Sequence, residues 1–206
     1  MLLRAVLLLI AVAGIVAAQV IEFESGGLKY QTLSKNGLTV MFAHLPIQVR
    51  EYSILQVAAS NGATIPCMVR PEDFVFTRDD GFAVRASSAE SVVGELLNRA
   101  GRNDVVKLTS TYEMGLYGMV RFRSTNGYEQ RRRSALAEVA STKLKAAAAA
   151  SAIAFVETRL KPGESTDGAV FFPTLGRPLG AGKLRFTAGG QLFEFDVDPI
   201  SDGPVR

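Results

Sequence analysis

Leu184-Arg185-Phe186-Thr187-Ala188-Gly189-Gly190-Gln191-Leu192-Phe193-Glu194-Phe195-Asp196-Val197 is the stretch on which the fold turns. Phe193 and Phe195 alternate with Glu194 and Asp196, the period of a strand with one buried face. Gly189-Gly190 puts the permissive residue twice at the centre of a two-residue turn. The stretch predicts strands over 184–187 and 192–197, joined as a hairpin. Just upstream, Gly168 to Pro173 carries Val170, Phe171 and Phe172 and reads as another strand. Lys161-Pro162-Gly163-Glu164 is a turn, and 153–160 is a further strand.

The front of the chain carries the same signals. Asn36-Gly37 is a turn signal ahead of a strand over 38–43. The run from Glu51 to Ser60 reads as a core strand, stopped by Asn61-Gly62. Two short strands, 71–77 and 81–86, flank the turn Arg78-Asp79-Asp80-Gly81. Residues 19–33 have no sustained period and read as a leader into the domain.

Between these β segments the period changes to that of helices. Ser87 with Glu90 forms a capping box for a helix over 87–100, with Gly101 as its C-cap. Val92, Val93, Leu96, Leu97 and Ala100 mark its apolar face. Asp104 is placed to cap a second helix reaching about Glu113, although the β-branched and aromatic content there equally allows a strand, with the chain bent beyond it at Gly115 and Gly118. Asn126 with Glu129 opens a third, running to about Ser151. Ten of the twenty residues from Ala135 to Ala154 are alanine, the best helix former. Leu136, Ala140, Leu144 and Ala147 mark its packing stripe.

Strands, then helices, then strands again predict an α+β chain rather than alternating βαβ units. The expected architecture is an immunoglobulin-like antiparallel β-sandwich of about seven strands in two sheets, with a helical insertion over about 87–151. Residues 19–206 form one domain in this reading. The segment Leu160-Lys161-Pro162-Gly163-Glu164-Ser165, followed by Gly168-Ala169-Val170-Phe171-Phe172, resembles the late strands of exported bacterial immunoglobulin-like domains of unknown function. The resemblance covers about fifty residues and implies a fold. It implies no activity and carries over no functional residue.

The first eighteen residues predict where the protein works. Met1 to Arg4 is a short basic start, and 5–17 is an apolar run. Val16-Ala17-Ala18 offers small residues for cleavage ahead of Gln19. This is the layout of a secretory signal peptide. The alternative is an uncleaved N-terminal anchor, with the run stretched towards Ile21. No Cys follows the cleavage point to take a lipid. Export predicts a periplasmic or extracellular protein.

Composition narrows the classes further. Of the 206 residues, 48% are hydrophobic and 21% charged, which is globular rather than disordered. The formal charge of +3, one unit of it from Arg4, is too mild to argue for nucleic acid. One cysteine precludes an internal disulfide, and one histidine precludes a multi-histidine metal site within one chain. No cofactor motif is present: no Gly-Lys-Ser or Gly-Lys-Thr follows the glycines at 115, 118 or 176–190. Glu72, Asp73, Asp79 and Asp80 lack the regular spacing of a calcium loop.

Two side chains and one cluster remain as candidates. His44, in Ala43-His44-Leu45-Pro46, serves as a general base only with an orienting acid and a nucleophile nearby, and otherwise ends a strand. Cys67 lies in an apolar stretch and reads first as an inert buried thiol, with an intermolecular disulfide or a nucleophile as the alternatives. Either residue would serve a hydrolase-like enzyme. The most unusual charge feature is Arg121, Arg123, Arg131, Arg132 and Arg133 around Tyr128. Arginine at a helix start opposes the macrodipole, so the cluster is the candidate interaction surface. Its partner would be an envelope protein, an acidic polymer or an anionic lipid surface. The expected function is a non-enzymatic envelope or secreted interaction module.

Overall fold

The computed structural model describes residues 19–118 and 141–199. Its elements run β1 (Ile21–Ser25), β2 (Leu28–Lys35), β3 (Leu38–Val49), β4 (Tyr52–Asn61), β5 (Cys67–Val69), β6 (Phe74–Arg78), β7 (Ala83–Arg85), α1 (Ala89–Arg99), α2 (Arg102–Gly118), α3 (Thr142–Ile153), β8 (Thr158–Leu160), β9 (Ser165–Pro173), β10 (Gly182–Ala188) and β11 (Gln191–Val197). A single 3-10 turn, Pro71–Asp73, leads into β6. The strands form open antiparallel sheets in the orders β1-β2-β3-β4-β9, β11-β10-β6-β7 and β5-β8. The class is α+β. Three ladders, β4–β9, β6–β10 and β5–β8, join the strands before the helices to those after them.

Apart from its exposed edge strand β1, the five-stranded sheet is covered on both faces. Leu55, Val57 and Ala59 of β4 face the four-stranded sheet, in one core with Phe76, Phe186 and Phe195. Tyr52, Ile54 and Ala58, on the other face, pack with Val92, Leu96, Ala146 and Ala150 of the helices. A strand covered on both sides needs apolar residues at successive positions, and this explains Ile54-Leu55 and Val57-Ala58-Ala59 in β4, interrupted by the buried Gln56. Across the sheet-to-sheet core, Phe42 meets Phe195 edge-on at 5.0 Å, and Phe76 meets Phe172 at 6.4 Å. Within the smaller sheet, Phe74 stacks on Phe186 at 4.1 Å. Each buried ring contributes about 2–3 kcal/mol by leaving water.

Several local expectations are corrected. The described residues hold eleven strands in three sheets, not about seven in two. Residues 19–33 form β1 and most of β2 rather than a leader, turning at Gly26 and Gly27, both with positive φ. The N-cap of α1 is Ser88, whose hydroxyl accepts from Ser91 N–H, not Ser87. Ser87 instead donates its N–H to Phe171 O at 2.8 Å. Gly101 does not cap α1; Ala100 follows the helix in extended backbone. The Gly101 N–H donates to Asp104 Oδ2 at 2.8 Å, in the first turn of α2. That helix runs on through Gly115 to Gly118. Residues 153–160 are the end of α3, a connection and the short β8, not one strand. Leu144 and Leu97, assigned to packing faces, are exposed. Ala147 is buried as expected, while Leu136 and Ala140 lie outside the described residues.

Candidate functional site

Three clefts open at one end of the molecule. This end gathers the β3–β4 hairpin tip, the β6–β7 turn, the α1–α2 junction and the loop 174–181. The first cleft, of about 200 Å³, lies between the β6–β7 turn and the loop, with Phe76, Phe82, Leu175 and Leu179 among its walls. A second, of about 460 Å³, holds His44, Gln48 and Lys107. The third, of about 630 Å³, holds Arg50, Arg99, Arg102 and Asp104. Pro178 lines both the first and the second, and Gln48 and Lys107 line both the second and the third. The three are therefore neighbours at this end.

The elements converge here for local reasons. Pro46 has no N–H for the ladder, and β3–β4 pairing shifts register between His44 and Gln48. That irregularity shapes the second cleft. The hairpin then turns with Arg50 in the left-handed region at φ 53°. The Arg50 side chain ties the hairpin to the helices: its Nη1 donates to Arg99 O at 2.8 Å and to Asp104 Oδ2 at 3.2 Å. Tyr52 donates its hydroxyl to Glu95 Oε2 at 2.7 Å, and burial pushes that phenol up to about 12. Arg99 bridges Glu95 and Glu51, each at 3.6 Å. The exposed Arg102, Lys107 and Arg177 have no carboxylate partner among the described residues, so this end carries a local surplus of positive charge.

His44 is half-buried beside the second cleft. Its Nδ1 has no hydrogen-bond partner among the described residues, and burial lowers the imidazole to about 4. The ring is neutral at physiological pH. The nearby Ser53 hydroxyl is engaged by Thr174 Oγ1 at 3.1 Å and by Arg177 O at 3.0 Å. Cys67 is half-buried on β5, and burial pushes its thiol up. Its Cβ lies near Gly189, past the far end of β10, whereas the His44 cleft includes Gly180, just before that strand. Seven strand residues separate the two places, roughly 20 Å. His44 and Cys67 are thus not a dyad.

Among the described residues, no group of three or more His, Cys, Asp or Glu could hold a metal ion. Glu72 and Asp73 lie in the turn before β6, and Asp79 and Asp80 at the turn after it. Asp80 is committed to an ion pair with Arg78 at 2.9 Å and to the Phe82 N–H. Arg121, Arg123, Tyr128, Arg131, Arg132 and Arg133 lie outside the described residues. Sequence reasoning missed the Arg50 network and the 174–181 loop. Pro173, Gly176, Pro178 and Gly180 were the available signal, a cluster of turn residues between two predicted strands.

No family model matches the chain, and no curated protein matches it. A solved structure, that of the yjhA protein from Bacillus subtilis, aligns at a TM-score of 0.31 and 8% identity, over 81% of this chain and 76% of that one. A likeness of that size carries no argument about fold or function.

Proposed function

We propose that this chain is an exported, non-enzymatic interaction module of the cell envelope or surroundings, with an immunoglobulin-like sandwich as its rigid frame. The observation that supports this reading is the gathering of three neighbouring clefts at one end. Loops held by packed sheets are where binding surfaces are commonly built, because they vary without disturbing the core. Arg102, Lys107 and Arg177, with no carboxylate partner among the described residues, favour an acidic partner. Arg121, Arg123, Arg131, Arg132 and Arg133, with Tyr128, belong to the same proposal as a second basic contact, to an acidic envelope protein or polymer or to anionic lipid.

Cross-linking of the tagged full chain in intact host cells tests the reading. The expected result is one recurrent envelope component, lost in the R102E/K107E double variant. A chain that stays uncross-linked under conditions that capture a known envelope pair would end it. Export rests on residues 1–18 and is tested separately. An intact mass beginning at Gln19 supports it, and a retained Met1 favours the anchor. No helix among the described residues is long and apolar enough to cross a membrane.

One observation favours hydrolase-like chemistry as a second reading: the Nδ1 of His44, without a hydrogen-bond partner among the described residues, beside a cleft. An unbiased ester and peptide substrate screen, repeated with H44A, checks it. Turnover abolished by that change would replace the binding reading.

A further inference from the structure

Thr174-Leu175-Gly176-Arg177 makes a tight turn, closed by Arg177 N–H donating to Thr174 O at 3.1 Å. Both central residues have positive φ, 55° at Leu175 and 76° at Gly176. Such turns favour Asn or Gly at the first central position, because a Cβ is strained there. Leu175 is also 74% exposed, so it carries two local costs, strain and an apolar side chain in water. The turn is held to the β3–β4 hairpin by the Thr174 and Gly176 N–H groups, which donate to Glu51 O at 2.8 and 3.4 Å. Those bonds are made by backbone and do not call for leucine between them. A position that breaks two local rules at once points to a use.

Leu175 stands at the mouth of the 200 Å³ cleft, with the exposed Phe82 also lining it. Buried Phe76, Val84 and Leu179 supply apolar walls. A space of this size accommodates one aromatic ring, since an engineered cavity of about 150 Å³ holds benzene. At the rim, Arg78 is neutralised by Asp80, whereas Arg177 has no carboxylate among the described residues.

We propose that this cleft takes one aromatic side chain of a partner protein, gripped between Leu175 and Phe82, with a neighbouring carboxylate of that partner on Arg177. The proposal rests on the loop-end reading above and names the chemistry of the partner. Apolar anchor and charge are both needed. The ring fills the cleft and excludes water, and the carboxylate then meets the guanidinium beside a desolvated surface.

The test uses the purified full chain and the capped tripeptide Asp-Phe-Asp, followed through the methyl resonances of Leu175, Leu179 and Val84. The expected result is saturable shifts at those methyls with millimolar peptide. Capped Asn-Phe-Asn should bind about tenfold more weakly, as should Asp-Phe-Asp to R177Q. Capped Asp-Gly-Asp should produce no shift. L175N is the decisive variant, because asparagine suits this backbone better than leucine. It should raise Tm by about 2–4 °C while weakening peptide binding. A purely structural Leu175 would move neither in that combination. Equal binding by R177Q, unchanged binding by L175N, or shifts given only by phosphatidylglycerol vesicles would overturn the proposal. Cellular cross-links lost in R102E/K107E but intact in L175N would overturn it too, while leaving the interaction-module reading standing.

Discussion

Asn61 shows how much one residue carries beyond its sequence signal. Read with Gly62, it marks the end of a strand. In the fold it is buried, and its Nδ2 donates to Ile65 O at 2.8 Å and to Leu160 O at 3.0 Å. Its Oδ1 accepts from Ala63 N–H at 3.0 Å. One side chain thus joins β4 to β8 across the length of the helical region. N61A should cost about 3 kcal/mol in chemical denaturation, because buried carbonyls lose their donor. His44 makes a pH prediction. Its pKa in the folded protein, about 4, lies below the ordinary value of 6.5. The unfolded chain therefore binds the extra proton first. Stability from this residue is complete above about pH 6.5 and is lost as pH falls towards 4, by up to about 1.4 kcal/mol per unit. H44Q should flatten the difference between unfolding at pH 7 and pH 5; an unchanged slope would show that burial does not hold the ring neutral. Neither role was legible in the sequence, since both depend on which distant backbone comes near.

At the scale of elements, legibility followed local chemistry. The β10–β11 hairpin declared itself through Gly189-Gly190 and the Phe193/Phe195 alternation, and α1 through its apolar face. β1 and the start of β2 did not. β1 is an edge strand largely exposed on both faces, so burial imposes no alternation on it. The alanine run reads as helix, but its buried stripe is not the one that leucine spacing suggests. Ala146, Ala149 and Ala150 face the sheet and α1, while Leu144 is 50% exposed. Packing here selects small residues, because α3 lies against both other helices. A150L should therefore cost about 1–3 kcal/mol by overpacking, whereas L144K should be close to neutral. The same logic is sharper at Gly168 of β9. There the chain crosses the strand so closely that a Cβ would stand 2.6 Å from the Phe155 backbone. Thermal melts of G168A should show a loss of about 3 kcal/mol or failure to fold; a melt like the parent's would mean that the crossing can move apart.

For the whole molecule, net charge says little and its distribution says more. A formal +3 spread evenly would steer nothing. Arg102, Lys107 and Arg177 instead stand at one end, around neighbouring clefts, while many other charges are locally paired, such as Lys183 with Asp196 at 2.7 Å and Arg185 with Glu194 at 2.7 Å. Sequence could identify basic residues but not which would find partners, because pairing is decided by strand register. It points to the Arg131 to Arg133 triplet, the densest run, and not to three isolated cations that the fold gathers. The two basic regions make separable predictions against a captured acidic partner. Exposed charges act mainly on encounter, and salt screens them beyond about 8 Å at physiological strength. R102E/K107E should slow association about tenfold at low salt and leave dissociation nearly unchanged, with the contrast fading at high salt. Tm should not move, because neither residue has a described ion pair to lose. The R131A/R132A/R133A triple should likewise spare Tm while weakening binding, if that arginine run meets the same partner. Stopped-flow association at two salt concentrations, beside a melt of each variant, separates the cases. Slowed association in the first variant but not the triple assigns recognition to the loop end. The reverse moves it to the arginine run, and a fall in Tm for either marks those residues as structural.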